Sequence, residues 1–373
     1  MLRSRQARQG KALMRHTETQ RIVIVGAGIV GASLAYHLAR CGFPVTVVER
    51  DRPGRGVTAQ SFAWINASAG DPPLSGLRSH AVADYRRLEA ELGQSFVHWH
   101  GALCHGVPLS ARQLASSESL ERAQIAQREP DWLEPPEQAR FFAEEGAFDA
   151  VALVHLLLQR ARHYGARILE ETEVLGFRYD GGALRGVLSS AGPIAASAVL
   201  VAAGVGALGL LETLGVRLPL ASSPCLLLRL RTPRQLVRGL ISNERMEVRQ
   251  AGPGILLAAE DYLEDSGERG PQAIAEQTLE SLRGAFRDGK EIALERVEVG
   301  QRPMPRDGLP LIGFCPDHPG VYLALMHAAV TLAATLGRLV AEEFASGREA
   351  AELSAFRPTR ERLGGIQIES APG

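Results

Sequence analysis

The residues with the clearest chemistry lie near the start of the chain, in the run VIVGAGIVGAS. Gly26, Gly28 and Gly31 form GxGxxG. The first glycine of such a pattern allows a tight turn, the second lets backbone approach a pyrophosphate, and the third lets a helix pack on a strand. The next residues, Ile29 and Val30, open a helix whose free N–H groups can face phosphate oxygens. Glu49 stands 23 residues after Gly26, where a carboxylate can accept hydrogen bonds from a ribose. Arg50 follows it and opens RDRPGRGVTAQS, a loop by composition that holds Thr58 and Ser61, candidate contacts to a cofactor's phosphates or ring. This is the chemistry of dinucleotide binding. Gly204, Gly206 and Gly209 repeat the pattern, but no strand ending in an acid follows at the required distance. They read as a glycine turn beside the first cofactor, so one dinucleotide is expected.

The elements around these residues support that reading. Ile22–Val25 is a short apolar run of the kind that forms a buried parallel strand. The following helix closes at Gly42, with Pro44 two residues on, and Val45–Val48 is the next strand. Further along, the spacing predicts helices over 79–92, 109–126, 153–164, 272–286 and 331–345. Strands are expected at 167–173, 174–179, 184–189, 198–203, 226–231, 246–249, 255–259, 297–302 and 321–325, with Gly181–Gly182 as a hairpin turn. The fold class is α/β (α+β overall). A Rossmann-like nucleotide domain is expected from 21–85, 146–215 and 297–350, with an inserted, mainly antiparallel-sheet substrate domain from 86–145 and 216–296. Segments 1–20 and 351–373 read as tails.

Composition narrows the class. The 373 residues carry a net charge of −1 and a pI near 6.8, so nothing electrostatic points to nucleic acid. Four cysteines without CxxC spacing suit a reducing compartment and no metal site. His98, His100 and His105 lack partners at metal-ligand spacing and read as structural. The most apolar stretch, 321–336, contains His327 and reads as buried, so no transmembrane segment is expected. The basic segment 1–20 lacks the apolar core of an export signal and reads as a disordered tail, or as an extension ahead of a start at Met14. A cytoplasmic location follows, with association at the inner face of a membrane left open.

Four blocks, read in order, resemble the FAD-dependent family of D-amino acid oxidase, glycine oxidase, sarcosine oxidase and D-amino acid dehydrogenase. They are VIVGAGIVGASLAYHLARCGFPVTVVER, GAFDAVALVHLLLQRARHYGARILEETEVLGF, AVLVAAGVGALGLLETLG and VGQRPMPRDGLPLIGFCPDHPGVYLALMHAAVTLAATLGRLVAEEFASG. The resemblance implies non-covalent FAD, with Val174 on the adenine side and Ala203, Gly204 and Gly313 near the flavin. It places Thr331 and Leu332 at a helix N-terminus beside the ring, although MHAAVTLA has alanines where the family usually has glycines. Arg302 would bind a substrate carboxylate through two parallel bonds, an internal salt bridge being the alternative. His327 would line the flavin edge or the substrate pocket, or serve the core. The implied activity is oxidation of the C–N bond of an amino acid or secondary amine by hydride transfer. A same-fold enzyme acting on a hydroxy acid, or a flavin-binding subunit without turnover, are the alternatives. The electron acceptor is left open among dioxygen, a quinone and an electron-transfer protein, and no catalytic base stands out.

Overall fold

The computed structural model describes residues 20–262, 270–360 and 367–368. The chain packs as two compact units. One draws on Met1–Thr58, Val151–Ser222 and Pro303–Gly373, the other on Ala59–Ala150 and Ser223–Arg302. The crossings therefore fall after 58, 150, 222 and 302; the sequence-based limits of 145, 215 and 296 lie within seven residues of the last three, while the limit at 85 lies 27 residues past the first, so 59–85 belongs to the second unit.

The first unit is built on a six-stranded sheet. Its order is Leu311–Phe314, Val321–Leu325, Ala198–Val201, Ile22–Val25, Val45–Val48, Arg167–Leu169. All neighbours run parallel except the pair Leu311–Phe314 and Val321–Leu325. Ile22–Val25 is buried at every position, which is why it reads as an unbroken apolar run. The chain winds outward on one side to Val45–Val48 and Arg167–Leu169, then returns on the other side with Ala198–Val201. The change of direction lies between Ile22–Val25 and Ala198–Val201, and ligands bind at such a switch point, beyond the carboxyl ends of the strands.

Helices Ile29–Arg40 and Ala329–Ser346 cross closely on this unit. A Cβ on Gly337 would collide with Ser33 and His37, and the Ser33 hydroxyl donates to the Ala333 carbonyl at 2.6 Å. A three-stranded antiparallel sheet, Val174–Asp180, Ala183–Ser189 and Gly192–Ala195, shares a core with the main sheet. The expected strand over 167–173 is shorter, ending at Leu169. From there the chain bends, and the amides of Glu171 and Thr172 donate to the carbonyls of Asp51 and Glu49.

The segment after 350, expected as a tail, is packed instead. Ala351–Phe356 is a 3-10 turn that buries Leu353 and Phe356. Arg357 pairs with the buried Glu343, which also accepts from Tyr322 Oη at 2.7 Å. Arg360 grips Asp307 through Nε at 2.7 Å and Nη2 at 2.9 Å. Gln367–Ile368 pairs with Val216–Arg217. The 1–20 segment, apart from Gln20, lies outside the described residues.

The second unit holds an eight-stranded sheet in the order Ala293–Pro305, Leu220–Arg231, Ile255–Asp261, Met246–Gly252, Leu240–Asn243, Ala102–Cys104, Gln138–Phe142, Glu118–Glu121. It is mainly antiparallel, with one parallel contact between Leu240–Asn243 and Ala102–Cys104. Helix Pro271–Ala285 covers one face, where Leu226, Leu228, Val248 and Leu256 are buried. The other face carries Leu227, Leu240, Leu257 and Cys104. The expected 109–126 helix is two short helices, Ala111–Ala115 and Arg122–Arg128, separated by the strand Glu118–Glu121. Ser116 and Ser117 end the first helix, and pairing with Gln138–Phe142 draws the next residues into the sheet.

Candidate functional site

The glycine loop of the first unit has its shape dictated by close approach. Gly26 has φ +101°, and a Cβ there would lie 2.6 Å from the Ala202 carbonyl oxygen. A Cβ on Gly31 would collide with the Gly26 carbonyl. On Gly28 it would lie 3.2 Å from Thr58 Oγ1, the atom that accepts the Ile29 N–H at 3.1 Å. Thr58 thus caps the helix from a distant loop, while the amides of Val30 and Gly31 belong to the first turn, which lacks intrahelical partners. Backbone donors, bare glycine surface and the positive end of a helix dipole make an anion cradle at the switch point.

The neighbouring expected residues gather at the same carboxyl end of the sheet. Glu49 Oε2 accepts from Ala27 N at 2.7 Å and Oε1 from Asp51 N at 3.0 Å. Each oxygen keeps a lone pair for a hydroxyl. Val174 begins the strand just past Thr172, whose amide is tied to Glu49. Ala203 and Gly204 follow Ala198–Val201; Gly204 has φ +57° with open space where a Cβ would be. Arg50 reaches over the same turn, its Nη1 about 3.8 Å from a Cβ built on Gly206. The second glycine motif forms Gly204–Gly206 and helix Ala207–Glu212, then leads to the short strand Val216–Arg217 instead of a second nucleotide-binding strand.

Other expected cofactor residues have different surroundings. Gly313 has φ +141°, and a Cβ there would press on Pro358 at 2.9 Å and Arg357 at 3.1 Å. Its glycine requirement comes from the packed C-terminal segment. Thr331 and Leu332 are buried in the first turn of Ala329–Ser346, where Leu332 N bonds to Ala328 O at 3.0 Å. His327 is exposed just before that helix. Cys315 is buried, and desolvation pushes its thiol up to about 12, which leaves it a poor nucleophile. Ser61 belongs to the second unit, and its Oγ accepts the Ala63 amide at 3.0 Å.

In the second unit, Arg302 is anchored on three sides. Nε donates to Ser223 O at 3.3 Å, and Nη2 to Ser223 Oγ and Pro224 O at 3.1 Å each. Nη1 donates to Asp261 Oδ1 at 3.1 Å, and the Asp261 side chain is 82% exposed. The expected two-bond grip on a carboxylate is therefore not on offer in this arrangement. Both Nη2 hydrogens are engaged, and only Nη1 faces an acid that a ligand can displace.

Sequence reasoning passed over two acids on the unit. Glu145 accepts from Trp64 Nε1 at 2.8 Å, Ser68 N at 3.1 Å and Ser68 Oγ at 2.6 Å, and so orders the 64–68 loop. Burial pushes its carboxyl up to about 7 against those bonds and the nearby Arg78. Glu247 is likewise pushed up to about 7 by desolvation, then by Asp261 and Glu260, with Arg302 opposing. The strand alternation in MEVR marks Glu247 as facing opposite to Val248, but nothing local says what shares that face. His98 and His100 stack with centroids 5.9 Å apart on a cleft of about 460 Å³. Among the described residues no group of three or more His, Cys, Asp or Glu is placed to hold a metal. No helix among them is long and apolar enough to cross a membrane.

Comparison with known proteins agrees with the cradle. Residues 21–343 match the family described as FAD dependent oxidoreductase. Glycine oxidase of Pseudomonas aeruginosa is 27% identical over 366 residues, covering 89% of this chain and 96% of that protein. Glycine oxidase of Bacillus licheniformis is 25% identical over 339 residues, covering 86% and 91%. The solved structure of glycine oxidase from Geobacillus kaustophilus superposes with a TM-score of 0.81 at 23% identity, covering 92% of this chain and 99% of that one. An anion cradle at the switch point, a carboxylate beside it and a match across most of the chain lead to one conclusion: this enzyme belongs to the FAD dependent oxidoreductase family, of the amino acid and amine oxidase kind, and its cofactor is FAD.

Proposed function

We propose that the enzyme oxidises the C–N bond of an amino acid or a secondary amine, with the first unit holding FAD and the second receiving the substrate. In the first unit, the amides around Gly28, Ile29, Val30 and Gly31 hold the pyrophosphate, Glu49 takes the adenosine ribose, and Val174 lies toward the adenine. Bound FAD supplies a two-electron acceptor for the hydride that leaves the substrate carbon. The carrying observation for the substrate is Arg302. Its Nε and Nη2 are fixed by Ser223 and Pro224, so the guanidinium is pre-aimed, and Nη1 exchanges the exposed Asp261 carboxylate for that of the substrate. Replacing one exposed acid by another leaves no charge uncompensated. Ala328 and Ala329 permit fairly close approach at the start of the last long helix, though less than glycine would.

An anaerobic substrate panel tests this reading. Glycine, sarcosine, D-alanine, L-proline and small hydroxy acids are each added to the FAD-loaded protein, and loss of visible flavin absorbance is followed. Bleaching by at least one amine-bearing compound is expected. Bleaching by hydroxy acids alone, or by none of the panel, overturns it.

A further inference from the structure

The eight-stranded sheet contains an acid, Glu247, with no hydrogen-bond or ion-pair partner among the described residues. Cross-strand partners share a face, and in register Cys104 stands opposite Ser242, Ser242 opposite Glu247, Glu247 opposite Ala259, and Ala259 opposite Leu227. Cys104, Leu227 and Ala259 all line the face turned away from helix Pro271–Ala285. Glu247 is therefore on that face too, half-buried at the end of an apolar floor. Asp261, two residues beyond Ala259 on the same strand, shares the face and carries the Nη1 contact to Arg302. Strand rise and spacing put the Cα atoms of Glu247 and Asp261 about 8 Å apart.

Among the described residues no hydrogen bond or ion pair is made to the Glu247 carboxylate. Its surroundings include Asp261 and Glu260 from Ile255–Asp261, Arg302 from Ala293–Pro305, and Cys104 from Ala102–Cys104. Arg249 lies two residues along its own strand and Arg140 stands opposite Cys104, but both guanidiniums are engaged elsewhere, Arg249 with the Phe62 and Phe148 carbonyls and Arg140 with Ser117 and the Leu114 carbonyl. Glu145 also reaches Cys104 electrostatically. A half-buried acid, next to other acids and short of donors, is unfavourable for stability and is the pattern expected of a functional group.

We propose that Glu247 receives the amino group of the substrate while Arg302 Nη1 holds its carboxylate. This rests on the amino acid reading above. An α-amino acid presents its two charges only a few ångströms apart, and Arg302 Nη1, held at Asp261, is near enough to Glu247 to act on its carboxyl. The proton step balances simply. A substrate ammonium gives one proton to the Glu247 carboxylate; an N–H bond breaks, an O–H bond forms, and the nitrogen regains its lone pair before the carbon is oxidised. The raised affinity of Glu247 for a proton suits this exchange near neutral pH. The site thus selects compounds carrying both a carboxylate and an amine over simple carboxylates.

The test compares wild type with Glu247→Gln and Glu247→Asp as FAD-loaded proteins. The best substrate of the panel is titrated in anaerobic flavin reduction across pH, and propionate, which lacks the amine, is titrated by its effect on the flavin spectrum. Glu247→Gln is expected to need at least about tenfold more substrate and to lose the rise in rate through about pH 7, while propionate affinity stays within about threefold. Glu247→Asp should restore part of the pH dependence. Equal substrate saturation and pH profiles in wild type and Glu247→Gln overturn the proposal, as does an equal loss for substrate and propionate. If Glu247→Gln fails to fold, Glu247→Ala takes its place, and substrate saturation and a pH profile equal to wild type in that variant overturn the proposal. Failure of wild type to oxidise any amine would strike the underlying reading, a separately visible result.

Discussion

The glycine cradle and the acid-bearing sheet face encode their chemistry in opposite ways. In the cradle, function lies in what is absent: Gly26, Gly28 and Gly31 lack side chains because carbonyls and a hydroxyl occupy the space. Most of its parts lie within 22–58 and work through backbone, with Glu49 and Thr58 as the side chains that tie the loop down. On the sheet face, the proposed substrate contacts are side chains brought together by register. Arg302 meets Ser223, 79 residues away, and Asp261, 41 residues away. A motif can describe the first kind of site, but the second exists only once the strands are paired.

The sharpest way to break this contrast is Gly31→Ala. The added methyl would meet the Gly26 carbonyl, so FAD affinity should fall at least about 100-fold, and the protein should purify without flavin absorbance. A yellow Gly31→Ala protein with unchanged affinity would mean that the loop tolerates side chains after all. Next in size is Arg302→Ala, which should keep FAD and lose about 100-fold in kcat/KM, the scale of a charged hydrogen bond. Loss of FAD on that change would make Arg302 a structural residue.

The smaller effect concerns pH. The folded protein keeps Glu145 protonated up to about 7, above its ordinary 4.5. A folded-state value raised in this way adds stability below 4.5 that is lost as pH rises through about 7. Glu145→Gln has no such proton to lose. Denaturant unfolding at about pH 5 and about pH 8 should show wild type losing on the order of 3 kcal/mol more than the variant between the two, with Glu247 contributing the same slope to both. Equal slopes in the two proteins would show that Glu145 ionises freely inside its ring of donors.

How much was legible follows from range. Ile22–Val25, Val45–Val48 and Val321–Leu325 stand where the apolar runs put them, because each is a buried parallel strand with turn residues at its ends. Gly347 ends the last long helix at φ 68°, as its position past the helix suggests. The 109–126 stretch misled because its polar spacing suits a helix, while Glu118–Glu121 becomes a strand only by pairing with Gln138–Phe142. Gly313 was read from the resemblance as lying near the flavin, while the approach of Arg357 and Pro358, 44 and 45 residues later, was not legible. Glu247 was invisible as a site residue, because its neighbours come from four other strands.

The central strand Ile22–Val25 has a consequence for how the molecule comes into being. Its partner on one side is Ala198–Val201, made well after it, and that strand in turn waits for Val321–Leu325. The whole of Ala59–Ala150 leaves the ribosome in between. Contacts so distant in sequence form slowly, because a long loop must close before any pairing rewards it. The glycine turn therefore exists as sequence long before it exists as a shape. A cradle of this topology can be complete only after Ala198–Val201 has been made and paired.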